Sequence, residues 1–373
     1  MSKIKYLLVT DIPAPWREKV YENVYNKLGD KFHVIYCNYN EKRRLWKFSL
    51  GNHPKTFLYG FTSTKIGSKE NYFNFGIIPF LFKHQPQIII CFSFNPTIFL
   101  SFLLGKFLRS KMALFVDTWL ERDRNISIFQ KIIRKIACNF FADAFIGPSK
   151  KTLLWFKHYN KNLNENSLFL SALCADNDYF NNYLKNEVIE KKYDILFSGR
   201  IVEEKNPIFF AEVAKKVKNK RGICKVLIIG EGDGFIKREM FKVLEEGNIT
   251  YYFAGFIHHK DLPKYYSQAK LLLLPTSGDC WGVVLNEAMV CGLPVITTNM
   301  TAAAGELVID GENGYILPLD SELWAEKICS LLTDEEKYKT FSLKAKEKVS
   351  EFTFEQAAQG IIDAIKYLEN LRK

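Results

Sequence analysis

The 373-residue sequence has no CxxC pair, and its eight cysteines are scattered without histidines at zinc-binding spacing. This distribution argues against a disulfide framework and a structural zinc site, and it indicates reduced thiols in a cytosolic compartment. The apolar run at the N-terminus, Tyr6 to Val9, is too short for the core of a signal peptide. With 47% hydrophobic and 25% charged residues, the composition excludes disordered and collagen-like chains.

The most membrane-like stretch, residues 88–108, is divided by an Asn-Pro pair at 95–96 and interrupted near its end by Lys106. These breaks favour a strand, a turn and an apolar helix over a membrane-spanning helix. A helix of this kind, followed by Arg109 and Lys111, either packs beside a sheet or lies on a membrane surface.

The net charge of +11 is unevenly distributed. Residues 1–190 contain 27 Lys and Arg against 15 Asp and Glu, whereas residues 191–373 contain 25 against 26. The first half is therefore expected to face an anionic partner such as phospholipid, a phosphorylated lipid or nucleic acid. Nucleic acid is disfavoured, because the sequence has no reader motif and the near-neutral second half would go unexplained.

Short apolar runs alternate with amphipathic stretches along the whole chain, as in repeated βα units. Ten runs are predicted as strands: 5–10, 32–37, 87–92, 112–117, 144–149, 194–199, 224–230, 249–255, 270–275 and 293–298. Their nearly continuous apolar character is typical of parallel strands covered on both faces. The polar stretch 181–192, where the charge changes, predicts domains 1–185 and 186–355. Residues 356–373 are predicted as a terminal helix that can pack back on the first domain.

The segment 270–298 is predicted as one βαβ unit, with a helix that begins near Gly282 or Val283. Asp279 lies in the loop before this helix and Glu287 lies on its second turn. Parallel sheets bind ligands beyond the carboxyl ends of their strands, and carboxylates accept hydrogen bonds from sugar hydroxyls. The alternatives are an exposed helix charge for Glu287 and a turn or capping residue for Asp279.

Arg200 ends another predicted strand, and Lys205 follows it in a loop. A planar guanidinium and a mobile ammonium at one sheet edge suit a diphosphate, although Lys205 alone would be interpreted as a solvated charge. Gly230, Gly232 and Gly234 come between a strand and an amphipathic helix, the context for close backbone approach to a nucleotide.

Other chemistry-bearing residues are less informative. His258 and His259 have no further ligands at useful spacing. Asp176 and Asp178 form a DxD that could hold a divalent metal, but turn and capping roles are favoured.

Five segments together resemble the retaining family-4 glycosyltransferases (glycosyl transferases group 1): SGRIVEEKNP, IIGEGDGF, ITYYFAGFI, LLLLPTSGDCWGVVLNEAMVCGLPV and AAAGELVIDGENGYILP, within residues 193–320. The resemblance implies an α/β fold of GT-B architecture, with two Rossmann-like doubly wound parallel-sheet domains facing a central cleft. It implies a nucleotide sugar, UDP- or GDP-linked, as substrate, no cofactor and no metal.

By this resemblance, Arg200 and Lys205 hold the diphosphate and stabilise it as leaving group, and Glu287 binds the nucleotide ribose. The donor-binding set implied by the resemblance is Gly199, Arg200, Lys205, Gly230, Phe256, Ile257, Asp279, Trp281, Gly282, Val283 and Glu287. Phe256 and Ile257 are placed beside the base. Asp279 stands where the family usually has Glu, so its reach is shorter by one methylene.

In the first domain the similarity is topological, and Asp11 and Arg17 are predicted as acceptor-side residues. Asp117 ends a strand where many family members place an active-site His or Asp, and it is predicted as catalytic together with Asp279, Arg200 and Lys205. A helix or turn cap is the alternative for Asp117.

The expected activity is retaining transfer of a sugar to an acceptor hydroxyl in cell-surface glycan biosynthesis: polysaccharide, lipopolysaccharide or capsule. The acceptor is expected to be a glycan or a lipid-linked glycan, and an anionic membrane surface is a candidate partner of an otherwise cytoplasmic protein. A sugar-nucleotide epimerase or hydrolase of the same fold, and a catalytically silent sugar-nucleotide-binding scaffold, remain alternatives.

Overall fold

The computed structural model describes residues 4–39, 49–66, 69–186 and 190–371. The chain divides into two compact units. The first comprises Met1–Leu173 together with Phe354–Lys373, and the second comprises Cys174–Thr353.

The first unit is built on a parallel sheet. Its strands are β1 (Tyr6–Thr10), β2 (Phe32–Tyr36), β3 (Lys55–Phe57), β4 (Phe61–Ile66), β5 (Lys69–Phe73), β6 (Ile88–Phe92), β7 (Lys111–Phe115), β8 (Ala144–Gly147) and β9 (Leu168–Leu170). Seven of them form the sheet in the order β3-β2-β1-β6-β7-β8-β9, and β4 and β5 form a separate antiparallel pair. The five strands predicted in this half are confirmed as β1, β2, β6, β7 and β8.

Five helices follow these strands: α1 (Pro15–Leu28), α2 (Ile77–His84), α3 (Pro96–Phe107), α4 (Ile128–Ile136) and α5 (Lys150–Tyr159). The Asn-Pro pair starts α3, because the Asn95 side chain accepts a hydrogen bond from the Ile98 N–H at 2.9 Å. The strand, turn and helix predicted over residues 88–108 are therefore confirmed. In the described part of the chain, every helix is too short or too polar to cross a bilayer.

The second unit is built on a six-stranded parallel sheet. Its strands are β10 (Tyr193–Ser198), β11 (Lys225–Ile229), β12 (Thr250–Gly255), β13 (Ala269–Leu274), β14 (Val295–Thr297) and β15 (Gly314–Ile316), in the order β12-β11-β10-β13-β14-β15. The five strands predicted in this half are confirmed. Leu271, Leu272 and Leu273 are all fully buried, as expected for a strand covered on both faces.

The helices of this unit are α6 (Asn177–Asn186), α7 (Pro207–Arg221), α8 (Gly234–Glu246), α9 (Leu262–Tyr266), α10 (Val283–Val290), α11 (Ser321–Thr333) and α12 (Glu335–Ser350). The unit begins before α6, not after residue 185 as the sequence predicts. Hydrogen bonds hold α6 here: the Asn177 amide donates to the Val349 and Phe352 carbonyls, both at 3.1 Å, and the Tyr179 hydroxyl donates to the Lys260 carbonyl at 2.8 Å. Residues 181–185 are exposed or half-buried on α6, so their polar composition marks a solvent-facing surface rather than the edge of a core. Residues 187–189 lie outside the described part.

The last helix, α13 (Phe354–Asn370), belongs to the first unit. Its Glu369 carboxylate accepts hydrogen bonds from Lys5 Nζ at 2.5 Å and from the Tyr6 hydroxyl at 2.7 Å. Eight of its residues are buried, mostly apolar positions at helical spacing. The polypeptide therefore leaves the first unit at residue 173 and returns to it at residue 354.

Each sheet has one position where the strand order reverses, which is where parallel α/β sheets open a crevice beyond their carboxyl ends. In the first unit this switch point lies between β1 and β6, and in the second unit between β10 and β13. The strand order alone determines the position of both switch points.

Candidate functional site

The switch point of the second unit brings together two loops from the predicted site. The loop after β10 contains Gly199, Arg200 and a 3₁₀ turn, Glu203–Lys205. The loop after β13 begins at Pro275 and leads to α10. The carbonyl of Glu204 accepts hydrogen bonds from the Ser277 N–H at 2.9 Å and the Thr276 hydroxyl at 3.0 Å, so the two loops are held side by side.

Lys205 and Asp279 meet across these loops. The Lys205 ammonium forms an ion pair with the Asp279 carboxylate, and both side chains are largely buried. Asp279 is fixed from the other side as well, because its N–H donates to the Met300 carbonyl at 2.9 Å. The sequence predicts that each group faces a ligand, whereas in this structure they neutralise each other.

Arg200 lies two residues beyond the end of β10, and its side chain is exposed. Among the described residues, its guanidinium has no acidic partner. The edge therefore carries one cation that is paired and one that is open to an incoming anion.

The glycines after β11 have a structural explanation. A Cβ atom on Gly230 would lie 1.8 Å from the Gly199 carbonyl oxygen, and one on Gly232 would lie 2.1 Å from the Ile201 carbonyl oxygen. Both positions therefore require glycine, because the loop after β11 runs directly against the loop after β10. The packing of the two loops accounts for these glycines, and the close backbone approach to a nucleotide that the sequence pattern predicts stays a prediction.

Helix α10 begins at the predicted place. Gly282 precedes it with φ of 91°, and its carbonyl accepts the Leu285 N–H at 2.8 Å. A side chain at this φ would be strained, so Gly282 fixes the direction in which the helix starts. A helix leaves its first N–H groups without a partner inside the helix, and in α10 that of Val283 is one of them.

Trp281 differs from its prediction. Its ring is fully buried, packs 5.5 Å from the Phe352 ring, and donates its indole N–H to Asn286 Oδ1 at 2.8 Å. A contact between this ring and a bound sugar is therefore excluded in this conformation. The indole instead anchors the loop before α10 to the interior, a role that a loop tryptophan beside glycine does not reveal in the sequence.

Glu287 is buried on the second turn of α10, not exposed. Its Oε2 lies 2.7 Å from the hydroxyl of Tyr266, which lies 2.7 Å from Ser198 Oγ. Tyr266 donates to the carboxylate and accepts from the serine, because a hydroxyl has a single proton. Burial raises the pKa of the Glu287 carboxyl to about 7, and the Tyr266 hydrogen bond acts in the opposite direction.

Sequence reasoning misses Tyr266 and Ser198. Tyr266 ends α9, is fully buried, and comes 21 residues before the carboxyl group that it binds. A tyrosine that ends a short helix gives no local signal of this contact. Ser198, the last residue of β10, carries a weak signal, because it directly precedes Gly199 and Arg200.

Phe256 and Ile257 follow β12 and are partly buried. The ring of Phe256 lies 5.2 Å from that of His258. Because β12 is the outer strand, two strands away from β10, these residues share the carboxyl edge but lie at its far end.

The first unit carries the remaining predicted residues. Asp11 follows β1, and its carboxylate accepts a hydrogen bond from the Asn95 amide just beyond β6, so both lie at the switch point. Asp117 follows β7 and is partly buried.

Arg17, predicted as an acceptor or phosphate contact, turns inward. The residue is 3% exposed, its guanidinium donates to the Ser171 carbonyl and hydroxyl at 3.1 Å, and the guanidinium carbon lies 4.6 Å from the centroid of the Phe115 ring. Arg17 is therefore a structural residue here, because its guanidinium lies against the Phe92 and Phe115 rings of the core.

The DxD residues follow the favoured interpretation. Asp176 accepts a hydrogen bond from the Tyr179 N–H at 3.1 Å, as a residue capping α6 does. Within the four described ranges, no three His, Cys, Asp or Glu side chains are grouped so that they could hold a metal ion.

Comparison with known proteins finds similarity to glycosyltransferases. Residues 180–348 match the family model described as glycosyl transferases group 1. The chain is 32% identical over 173 residues to 2-deoxystreptamine N-acetyl-D-glucosaminyltransferase from Niallia circulans, an alignment that covers 45% of this chain. It is 30% identical over 178 residues, 44% of this chain, to the capsular polysaccharide biosynthesis glycosyltransferase CapM from Staphylococcus aureus. The chain spans less than half the length of these curated relatives, 43% and 46%.

Solved structures extend the similarity to both units. The crystal structure of Anabaena Alr3699/HepE in complex with UDP superposes with a TM-score of 0.74 at 15% identity, covering 97% of this chain and all of that one. A glycosyltransferase from Rickettsia africae superposes with a TM-score of 0.74 at 16% identity over the full length of both chains. The chain has an α/β fold of the GT-B type, and its second unit carries the sequence pattern of the glycosyl transferases group 1 family.

Proposed function

We propose that this protein is a retaining glycosyltransferase that moves a sugar from a UDP- or GDP-sugar to an acceptor hydroxyl. The observation that carries the proposal is the meeting of Lys205 and Asp279 at the switch point of the second unit. A cation suited to phosphate and an acid suited to sugar hydroxyls lie there in contact. The glycosyltransferase names of the relatives and the UDP bound to similar structures support the same class of substrate.

The diphosphate would bind beside the ends of β10 and β13. Arg200 is open to solvent, and Lys205 can turn from Asp279 to a phosphate oxygen. Two cations balance the two charges of the diphosphate, and the first-turn N–H groups of α10 add hydrogen bonds to it. In this proposal these groups supply the stabilisation of the leaving group, and no metal or cofactor takes part.

The same exchange prepares the sugar site. When the Lys205 ammonium moves to phosphate, the Asp279 carboxylate becomes available to hydroxyls of the sugar. Glu287 would accept hydrogen bonds from the ribose hydroxyls, and Tyr266 would hold its carboxylate in place. Because aspartate is shorter than glutamate, the sugar would have to lie close to the loop before α10.

The transfer step breaks the bond between C1 of the sugar and the diphosphate oxygen, and it forms a bond from C1 to the acceptor oxygen on the same face. As the first bond loosens, positive charge develops on the sugar ring and negative charge on the leaving diphosphate. The departing phosphate takes the proton of the acceptor hydroxyl, so no separate base is required. Asp117 is proposed as an acceptor-side group in the first unit.

The acceptor is proposed to be a glycan or a lipid-linked glycan of the cell surface, elongated at the cytoplasmic face of a membrane. The capsular polysaccharide relative supports this class of pathway. The excess of positive charge in residues 1–190 supports an anionic surface as the place of reaction.

The proposal is tested by thermal unfolding in the presence of UDP, GDP and their sugars. One nucleotide series should raise the unfolding temperature, and Arg200→Ala and Glu287→Ala should abolish the increase. Lys237→Ala, which removes a cation paired with Glu231 in the same unit, is the matched control and should retain it. Chromatography of the sugar nucleotide with a lipid-linked acceptor should show nucleoside diphosphate released only when acceptor is present.

Other outcomes contradict the proposal in distinct ways. Release of nucleoside diphosphate without acceptor indicates a hydrolase, and conversion of the sugar without release indicates an epimerase. Stabilisation without turnover on any acceptor indicates a binding scaffold. Unchanged stabilisation in both alanine variants would show that the nucleotide binds elsewhere.

A further inference from the structure

Helix α4 of the first unit turns several large apolar side chains to solvent. Ile128 is 77% exposed and Phe129 is 70% exposed; Ile132 and, on the following turn, Phe140 are exposed as well. The charged side chain of Arg134 points inward and pairs with the buried carboxylate of Asp123. A surface helix of a soluble protein shows the opposite pattern, with the apolar stripe toward the core. We call Ile128, Phe129, Ile132 and Phe140 the α4 face.

The helix is nevertheless well defined. Ser127 and Gln130 form a capping box: the Ser127 hydroxyl accepts the Gln130 N–H at 3.2 Å, and Gln130 Oε1 accepts the Ser127 N–H at 3.0 Å. None of the residues of α4 is buried. Its start is therefore specified locally. Arg134 holds the helix to the unit by pairing with Asp123 and lying over the Trp155 ring. The following turn buries Ala137 and Cys138, so the apolar side chains are held outward on an ordered element.

Positive charge borders the α4 face. A shallow groove beside Ile128 and Ile132 is lined by four cationic side chains: Arg124, Lys131, Lys135 and Lys161. All four are exposed, and in the described part of the chain none of them forms a salt bridge. Of the two acids in the groove, Asp123 is already paired with Arg134.

We propose that the α4 face docks the protein on an anionic lipid bilayer. The apolar side chains would enter the region between headgroups and acyl chains, and the bordering lysines would contact lipid phosphates. An apolar centre with a border of cations alone complements a bilayer surface, which carries anionic headgroups above apolar acyl chains. The inference names the membrane contact and therefore rests on the proposed function, which places the acceptor at a membrane.

The α4 face also lies near the acceptor-side residue Asp117 along the chain. The chain passes from the end of β7 through Asp117 to α4, so the helix starts near the carboxyl edge of the first sheet. The Thr118 hydroxyl, next to Asp117, lies 3.2 Å from the same Asp123 carboxylate that binds Arg134. A bilayer at the α4 face would thus lie near the acceptor-side residue of the proposed reaction.

Sedimentation of the full chain with vesicles tests the inference. Vesicles of phosphatidylcholine alone are compared with vesicles that also contain phosphatidylglycerol, at low and high salt. The wild type should bind the anionic vesicles, and salt should weaken the binding. The double variant Ile128→Ser with Phe129→Ser should reduce partitioning by about a hundredfold, since each lost apolar side chain is worth about tenfold.

Two further variants control the result. Leu343→Ser removes an apolar side chain of similar exposure from α12 of the second unit, and it should leave partitioning unchanged. Lys131→Gln with Lys135→Gln should reduce binding to anionic vesicles by about tenfold or more and should leave binding to neutral vesicles unaffected.

The inference fails if the wild type does not bind anionic vesicles, or if the Ile128→Ser, Phe129→Ser variant binds like the wild type. It also fails if, without lipid, the wild type is a dimer and that variant a monomer, because the face then joins two copies. Nucleotide-induced stabilisation is measured on the same samples. If nucleotide-induced stabilisation persists while vesicles are not bound, the docking surface is wrong and the donor site stands. If vesicles are bound while nucleotide-induced stabilisation is absent, the donor site is wrong and the docking surface stands.

Discussion

The two units share a sheet pattern and differ in what they place at its switch point. In the second unit, the loops after β10 and β13 bring a lysine against an aspartate, with an exposed arginine nearby. In the first unit, the loops after β1 and β6 bring Asp11 against Asn95, an acid and a neutral amide. The first unit's nearby arginine, Arg17, is buried in the core.

This difference shows that the topology fixes where a ligand can bind and the side chains decide which ligand. An edge with two cations suits a diphosphate, whereas an edge with a carboxylate and an amide suits hydroxyl groups. Part of the positive charge of the first unit lies away from its switch point, on the border of the α4 face. The charge of a unit as a whole therefore does not identify the ligand at its sheet edge.

The largest effect is expected from removing the cation at the second switch point. Lys205→Ala should reduce sugar transfer by about 10²–10³-fold, as does the loss of one group that stabilises developing negative charge. The matched control is Lys106→Ala in the first unit, where Lys106 pairs with Asp143 at 2.9 Å. Initial-rate measurements on both variants should show the loss only for Lys205. An equal loss of sugar transfer in the Lys205 and Lys106 variants would contradict a specific role of the second sheet edge.

A smaller loss is expected at the edge of the first sheet. Asp117→Asn should reduce transfer by about 10²-fold through misplacement of the acceptor, while nucleotide-induced thermal stabilisation stays as in the wild type. Rates with saturating sugar nucleotide and varied acceptor measure the first effect. A loss of nucleotide binding in this variant would mean that the first unit also holds the donor.

Arg17 should affect stability rather than binding. Arg17→Met removes two hydrogen bonds to Ser171 and the stacking on Phe115, so the free energy of unfolding should fall by about 2 kcal/mol. Urea unfolding measures this change, and the temperature increase caused by UDP should persist. If the stability is unchanged and UDP binding is lost, Arg17 is a phosphate contact, as the sequence predicts.

The smallest effect concerns Glu287 and pH. Its folded pKa of about 7 lies above the ordinary value of 4.5, so the free energy of unfolding should decrease as pH rises between these values. Nucleotide affinity should change in the opposite sense, because the ionised carboxylate is the better acceptor for ribose hydroxyls. Calorimetric titration with UDP from about pH 6 to about pH 8, on either side of that pKa, measures this change in nucleotide affinity.

Tyr266→Phe sharpens this test. It removes the hydrogen bond that lowers the Glu287 pKa, so affinity near neutral pH should fall by about threefold to tenfold and the pH midpoint should rise. Glu287→Gln is the control for ionisation of UDP itself, because its UDP affinity should show only the pH dependence that comes from the nucleotide. An unchanged midpoint in the Tyr266 variant would mean that the tyrosine does not act through the carboxyl group.

Strands such as Leu271–Leu274 could be predicted from the sequence. Short, nearly all-apolar runs are typical of strands in a sheet that is covered on both faces. The three-residue outer strands β3, β9 and β15 leave too little pattern to detect, whereas β14, equally short, lies within the longer apolar run 293–298. The start of α10 at Gly282 is also readable, since glycine and the following apolar spacing mark a helix boundary.

The details of the site depend on contacts between distant residues. The pairing of Lys205 with Asp279 joins positions 74 residues apart, and the Tyr266–Glu287 contact crosses from one helix to another. The prediction for Trp281 is wrong because a loop residue is ordinarily exposed. The glycines after β11 stay a prediction for nucleotide binding, because close approach of a nucleotide and close approach of a neighbouring loop both require that a side chain be absent. Local patterns cannot distinguish between such alternatives.

The return of α13 to the first unit affects how the chain can fold during synthesis. Residues 1–173 emerge from the ribosome before the second unit, but their sheet lacks its covering helix until the 17-residue α13, which follows the second unit along the chain, has been made. The second unit is continuous in sequence and has all its elements earlier. Although domains usually fold in the order in which they are synthesised, here the later unit can finish first, and a chain shortened at its C-terminus would damage the N-terminal unit.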